Sequence, residues 1–163
     1  MKFLQVLLVL LSAMNLNAAD TAEQSAKIKV ALITGGGFHD YASQKDLVKN
    51  ILEERTDSVV DVYYFDKKKK QKPPFDKPEI YTDYDVVVLN FCLSAKKRDV
   101  EKVNQLVKKL TAAKVGIVAI HATMHCYRDA ESKAWDDLLG IYSVKHGRKA
   151  PIQVSCTESH ELT

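Results

Sequence analysis

The sequence contains no Cys-x-x-Cys pair, no Gly-x-Gly-x-x-Gly, no phosphate loop ending in Gly-Lys-Ser/Thr, and no apolar run long enough to span a bilayer. Each absence removes a class of function. Without closely spaced cysteine pairs there is neither a structural zinc knuckle nor a thioredoxin-like redox site. The glycine stretch "GGGFHD" carries Asp40 where a dinucleotide fingerprint needs its last glycine. The three cysteines, Cys92, Cys126 and Cys156, are an odd number, so at least one thiol stays unpaired. They read as small apolar residues near strand ends, with a Cys92–Cys126 bridge as the alternative.

Charge of one sign is also scarce. With 24 basic against 21 acidic residues and a formal charge of +3, nucleic-acid binding is not implied. Much of the basicity sits in "DKKKKQKPPFDKP", where Lys67 to Lys70 precede the turn-forming Pro73 and Pro74. That stretch reads as a solvated loop, with an anionic-ligand patch as the alternative.

What is present fits one globular domain: 163 residues, 46% apolar and 28% charged. The opening "MKFLQVLLVLLSAMNLNAAD" places Lys2 before an apolar stretch from Phe3 to Leu11, then small and polar residues up to Ala18 and Ala19. This is the layout of a secretory signal peptide, with cleavage expected after Ala18; a membrane anchor or a buried first helix is the competing interpretation. The expected mature protein is secreted or periplasmic, without a stable membrane anchor.

Strand and helix signals alternate along the rest. "KIKVALIT" (27–34), "SVVDVYYF" (58–65), "YDVVVLNFC" (84–92) and "VGIVAIH" (115–121) are runs rich in branched apolar residues, as strands buried on both faces require. Between them, "SQKDLVKNILEER" sets Leu47, Val48, Ile51 and Leu52 on one helical face, with Ser43 as its expected N-cap. "KKRDVEKVNQLVKKLTAAK" does the same with Val100, Val103, Leu106, Val107 and Leu110. A short helix is expected around Trp135 to Leu139, and a weak last strand in "PIQVSC" (151–156). The pattern predicts an α/β, doubly wound, mostly parallel sheet. It stops at "SHELT" without a closing helix, so the domain is expected to be truncated at its carboxyl end.

In such a sheet, ligands bind outside the carboxyl ends of the strands, where strand order reverses. Three loops with functional residue types emerge there: "GGGFHDY", "NFCLS" and "HATMHCYR". The glycines either permit a tight turn or let backbone, at Gly36 and Gly37, approach a ligand. His39 and Asp40 add an imidazole and a carboxylate beside the first helix N-terminus, which suits a polyhydroxylated or anionic ligand. "AIHAT" has the small-residue flanks of a nucleophile elbow, Ala119 and Thr123, but His121 at its centre. Cys92 and Cys126 lack such flanks, so acyl transfer through cysteine is disfavoured. His121 and His125, four apart, can share a helical face and hold a divalent metal such as zinc, with His39 as a further candidate ligand. Equally, these imidazoles can act as acid and base, or only bond to neighbouring backbone.

Five segments in order, "ALITGGGFHDY", "YDVVVLNFC", "VAIHATMHCYR", "AWDDLLG" and "KHGRKAPIQV", resemble the ThuA-like (trehalose-utilisation) domain family over about residues 27–163. The resemblance implies a flavodoxin-like, class I glutamine amidotransferase-like fold without the amidotransferase cysteine. It further implies a role in carbohydrate metabolism, on glucosides or their 3-keto derivatives. Matching positions are His39, Asp40, His121, His125, Arg128, Trp135, and His146 with Gly147, which makes His39, His121 and His125 the catalytic candidates. Gly36, Gly37, Asp40, Arg128, Trp135 and His146 are the substrate-binding ones. His160 stands where relatives commonly have His-Pro-Ile, but Glu161 replaces the proline. Two functions remain open: a carbohydrate-active isomerase, lyase or hydrolase, or a non-catalytic sugar-binding module. In both the partner is a small carbohydrate.

Overall fold

The computed structural model describes residues 26–66, 68–93, 99–128, 130–143, 147–148, 150–153 and 155. The expected signal peptide, residues 1–18, and Cys156, His146, His160 and Glu161 lie outside them. Strand β1 (Ile28–Gly36), helix α1 (Tyr41–Arg55), strand β2 (Ser58–Asp66), strand β3 (Val86–Cys92), helix α2 (Val100–Ala113), strand β4 (Gly116–Ala119) and helix α3 (Ala134–Leu139) follow in order. A one-turn 3-10 helix, Pro78–Tyr81, precedes β3, and a second, His121–His125, follows β4. The four strands are all parallel in the order β2-β1-β3-β4. The chain therefore reverses its direction of winding between β1 and β3, which is the flavodoxin-like arrangement.

Alternation along the strands divides the core into two layers. Ala31 and Ile33 of β1 join Val87, Leu89 and Phe91 of β3 beneath Val103, Leu106 and Leu110 of α2 and Trp135 of α3. The intervening residues Val30, Leu32, Val60 and Val88 face the other way, against Val48 and Leu52 of α1. Helices thus cover both faces, and the sheet is doubly wound.

The two long helices differ in how fully they use their apolar stripes. In α2, Val103, Leu106, Val107 and Leu110 are all buried. In α1, only half of the expected face is covered, for Leu47 and Ile51 remain 58% and 49% exposed. The helix is tied down on its opposite flank: Lys49 Nζ donates to the Val60 carbonyl at 2.6 Å, and Val60 N–H donates to Glu53 Oε1 at 2.9 Å. Lys49 and Glu53 also pair with each other at 2.6 Å. These bonds occupy the N–H and carbonyl of Val60 on β2, an edge strand whose outward backbone groups are otherwise open to pairing.

Helix caps lie where carboxylates can reach the first turn. The α1 cap is Asp40, not Ser43; its Oδ1 accepts from Ser43 N–H at 3.2 Å, so Ser43 belongs to the helix as a donor. Asp99 caps α2 in the same way, from Lys102 N–H at 3.1 Å. The strand expected at 151–156 does not form across the described residues 151–153 and 155, and Ile152 is exposed there. A strand needs a hydrogen-bonded neighbour, which alternating residue types cannot supply alone. No helix among the described residues is long and apolar enough to cross a membrane.

Candidate active site at the carboxyl edge of the sheet

The loop after β1 begins with glycines that the neighbouring strands demand. A Cβ on Gly35 would stand 2.2 Å from the Phe65 carbonyl oxygen, and one on Gly36 would stand 2.1 Å from that of Cys92. Both also have positive φ, +146° and +93°, which glycine alone adopts readily. Gly37 is buried, and its N–H donates to the Cys92 carbonyl at 3.1 Å. Close packing of β1 between β2 and β3 accounts for Gly35 and Gly36; Gly36 and Gly37, the glycines expected to touch substrate, also fasten the loop to the sheet beside Cys92.

Past the glycines the loop changes character. Phe38 has φ +81° and leaves 73% of its surface accessible. A left-handed φ in a bulky residue costs on the order of 1–3 kcal/mol. His39 follows, also exposed, and then Asp40. Bonds from the Ser43 side chain and backbone hold the Asp40 carboxyl below its ordinary range, with Lys68 contributing. Asp40 is thereby committed as a charged helix cap. Tyr41 turns inward; burial, and then the Cys92 and Cys126 thiols, push its phenol above the usual range. Its hydroxyl and that of Thr34 are buried without a hydrogen-bond partner among the described residues, an uncommon condition for interior polar groups.

The loop after β4 answers from across the switch point. β4 ends at Ala119, opposite Leu89, while β3 continues to Cys92. The ladder is carried on by one side chain. Thr123 Oγ1 accepts from Phe91 N–H at 3.0 Å and can donate to the carbonyls of Leu89 (2.9 Å) or Phe91 (3.1 Å). Ile120 N–H donates to the same Leu89 oxygen at 2.9 Å. Between Ile120 and Thr123 the chain must turn abruptly, and His121 takes φ +45° to do so. An elbow-like turn with histidine at its centre is the result.

The two loops meet through their imidazoles. The rings of His39 and His121 lie 4.9 Å apart, centre to centre, at an interplanar angle of 67°. His39 also stands edge-on to Tyr41 at 5.7 Å. His121, like His39, is exposed, so both rings are open to a ligand. His125, at the far end of the 3-10 turn, directs Nδ1 toward Ser143, 3.0 Å from its Oγ and 3.4 Å from its carbonyl oxygen. Arg128 is half-buried on the same loop.

Trp135 is not at the surface. It is 2% exposed in the core, its ring 5.8 Å from that of Phe91 and 5.2 Å from that of Tyr127. Its indole N–H donates to the Thr123 carbonyl at 3.3 Å. Expected to contact substrate, it instead supports the histidine loop from beneath. No disulfide joins Cys92 to Cys126, so the bridge considered between them is not formed. Among the described residues, no group of three or more His, Cys, Asp or Glu is assembled to hold a metal ion. His39, His121 and His125 therefore do not form a three-ligand set.

Sequence reasoning overlooked Phe38, Tyr41, Ser143 and the Thr123 hydroxyl. The aromatics were visible on either side of the His-Asp pair in "GFHDY", but backbone φ and burial separate their roles. Ser143 lies far along the chain from His125, and nothing in the spacing joins them. The chain matches no model of a known protein family, no curated protein and no solved structure.

Proposed function

We propose that the crevice at the carboxyl edge binds a small carbohydrate, a glucoside or its 3-keto derivative, and that His39 and His121 carry out acid–base chemistry on it. The ring contact between these two residues, brought from separate loops to the point where strand order reverses, is the observation that carries the reading. Imidazole is the side chain whose ordinary titration lies near neutrality, so one ring can accept a proton from a sugar hydroxyl or carbon while another donates to an oxygen. Geometry favours catalysis over structure for His121, because it occupies a left-handed turn yet stays exposed. Arg128, on the same loop, orients a carbonyl or hydroxyl by paired bonds. The five segments that resemble ThuA-like domains supply the substrate class. The signal-peptide layout of residues 1–18 would place the activity outside the cytoplasm.

The test is a turnover screen of the full chain on 3-keto glucosides and the parent glucosides, with and without chelator, alongside His121→Ala. Turnover should disappear in the variant while its melting curve stays within about 0.5 kcal/mol of wild type, as expected for an exposed side chain. Undiminished turnover in His121→Ala would remove the acid–base assignment. No turnover by the wild type, with glucoside binding retained, would leave a sugar-binding module in its place.

A further inference from the structure

We infer that Phe38 is the stacking platform on which the crevice holds the apolar face of a pyranose ring, an inference that rests on the carbohydrate reading above. A single exposed aromatic is unremarkable on a protein surface. Phe38 differs in its backbone. It holds φ +81° with 73% of its surface accessible, a combination that a bulky side chain rarely adopts. The loop is bound at both ends, by Gly37 N–H on the Cys92 carbonyl and by the Asp40 cap of α1. Its course across the switch point is therefore set by the sheet and the helix, and Phe38 is held at a defined place next to His39.

Ligand chemistry supplies the match. A glucoside with equatorial hydroxyls has a rim of polar groups and flat faces of C–H bonds. Such a ring needs polar partners at its edge and an apolar plane against its face, the pattern of small-molecule sites in general. The imidazoles of His39 and His121 serve the rim. Phe38 serves the face, and its position in the loop separates stacking from proton transfer by one residue. The inward-turned Tyr41 hydroxyl, three residues after Phe38 and without a hydrogen-bond partner among the described residues, adds a polar group beneath the same loop.

A structural role and a binding role predict different outcomes on replacement. Glycine at position 38 relieves the left-handed backbone, so Phe38→Gly should melt at or above the wild-type temperature. It should also lose affinity. The experiment uses the full chain with methyl β-D-glucopyranoside and its 3-keto derivative as probes, measured by calorimetric titration and by saturation-transfer NMR. In the wild type, saturation should be strongest on the axial ring hydrogens of one sugar face. Phe38→Gly should weaken binding by about tenfold or more, about 1.4 kcal/mol, whereas Phe38→Trp should keep affinity within about threefold. Equal binding by wild type and Phe38→Gly would overturn the platform while leaving the carbohydrate reading in place. A marked fall in the melting temperature of Phe38→Gly, or loss of binding in Phe38→Trp equal to that in Phe38→Gly, would also overturn it. If the wild type binds neither probe, the carbohydrate reading fails and the platform fails with it.

Discussion

Thr123 is the residue on which the geometry of the histidine loop depends most, and Thr123→Val isolates its hydroxyl with almost no change of shape. In the wild type the hydroxyl oxygen accepts from Phe91 N–H, and its proton goes to one of two carbonyls, those of Leu89 and Phe91. Valine removes both bonds. The Phe91 N–H, deep in a residue with no accessible surface, is left unpaired at a cost of roughly 1–3 kcal/mol, and the lost hydroxyl donation adds about 1 kcal/mol. A destabilisation of about 2–4 kcal/mol follows, or a fall in melting temperature of about 6–15 °C for a domain of this size. Thr123→Ser keeps the hydroxyl and removes one buried methyl, so it should cost only about 1 kcal/mol. Urea unfolding with an unchanged slope is the assay. If valine lies within about 0.5 kcal/mol of wild type, or serine costs as much as valine, then the ladder is not continued by this side chain and the reasoning is refuted.

Gly36→Ala should lower stability by roughly 3 kcal/mol or more, because the new Cβ would meet the Cys92 carbonyl at 2.1 Å on a backbone with φ +93°; urea unfolding at neutral pH checks it, and a near-neutral result would mean that β1 and β3 can part at no cost. Glu53 has its carboxyl held below the ordinary 4.5, chiefly by the Lys49 ammonium and then by Val60 N–H. Its contribution is therefore complete above about pH 4.5 and is lost as pH falls through the lower folded value. Denaturation of wild type and Glu53→Gln across that window should show wild type ahead at neutral pH and the gap closing in acid; a gap that widens in acid contradicts the assignment. Intact-mass analysis of the exported protein should find a start at Ala19 or Asp20, and a mature form still carrying Phe3 to Leu11 would exclude cleavage there.

Local chemistry made much of this protein legible without coordinates. Spacing of Val103, Leu106, Val107 and Leu110 alone defines the buried face of α2, since a helix repeats every 3.6 residues whatever surrounds it. Unbroken apolar runs mark β1 and β3 as strands covered on both faces, and the alternation with helices implies the parallel sheet. The same reasoning correctly located the edge at which polar loops collect, because parallel strands all deliver their following loops to one side. Tertiary structure decided what those loops do. Gly35 and Gly36 are glycines because of carbonyl oxygens on two other strands, and Trp135 is core because α3 folds under the histidine turn. The exposed flank of α1, with Leu47 and Ile51, follows from where Lys49 and Glu53 anchor the helix to β2. His39 and His121 meet because β1 and β4 flank β3 in the sheet. Periodicity reports the surroundings of each segment averaged over its length, whereas a meeting of two side chains depends on strand order and on a few backbone angles, and those are set only when the whole sheet assembles.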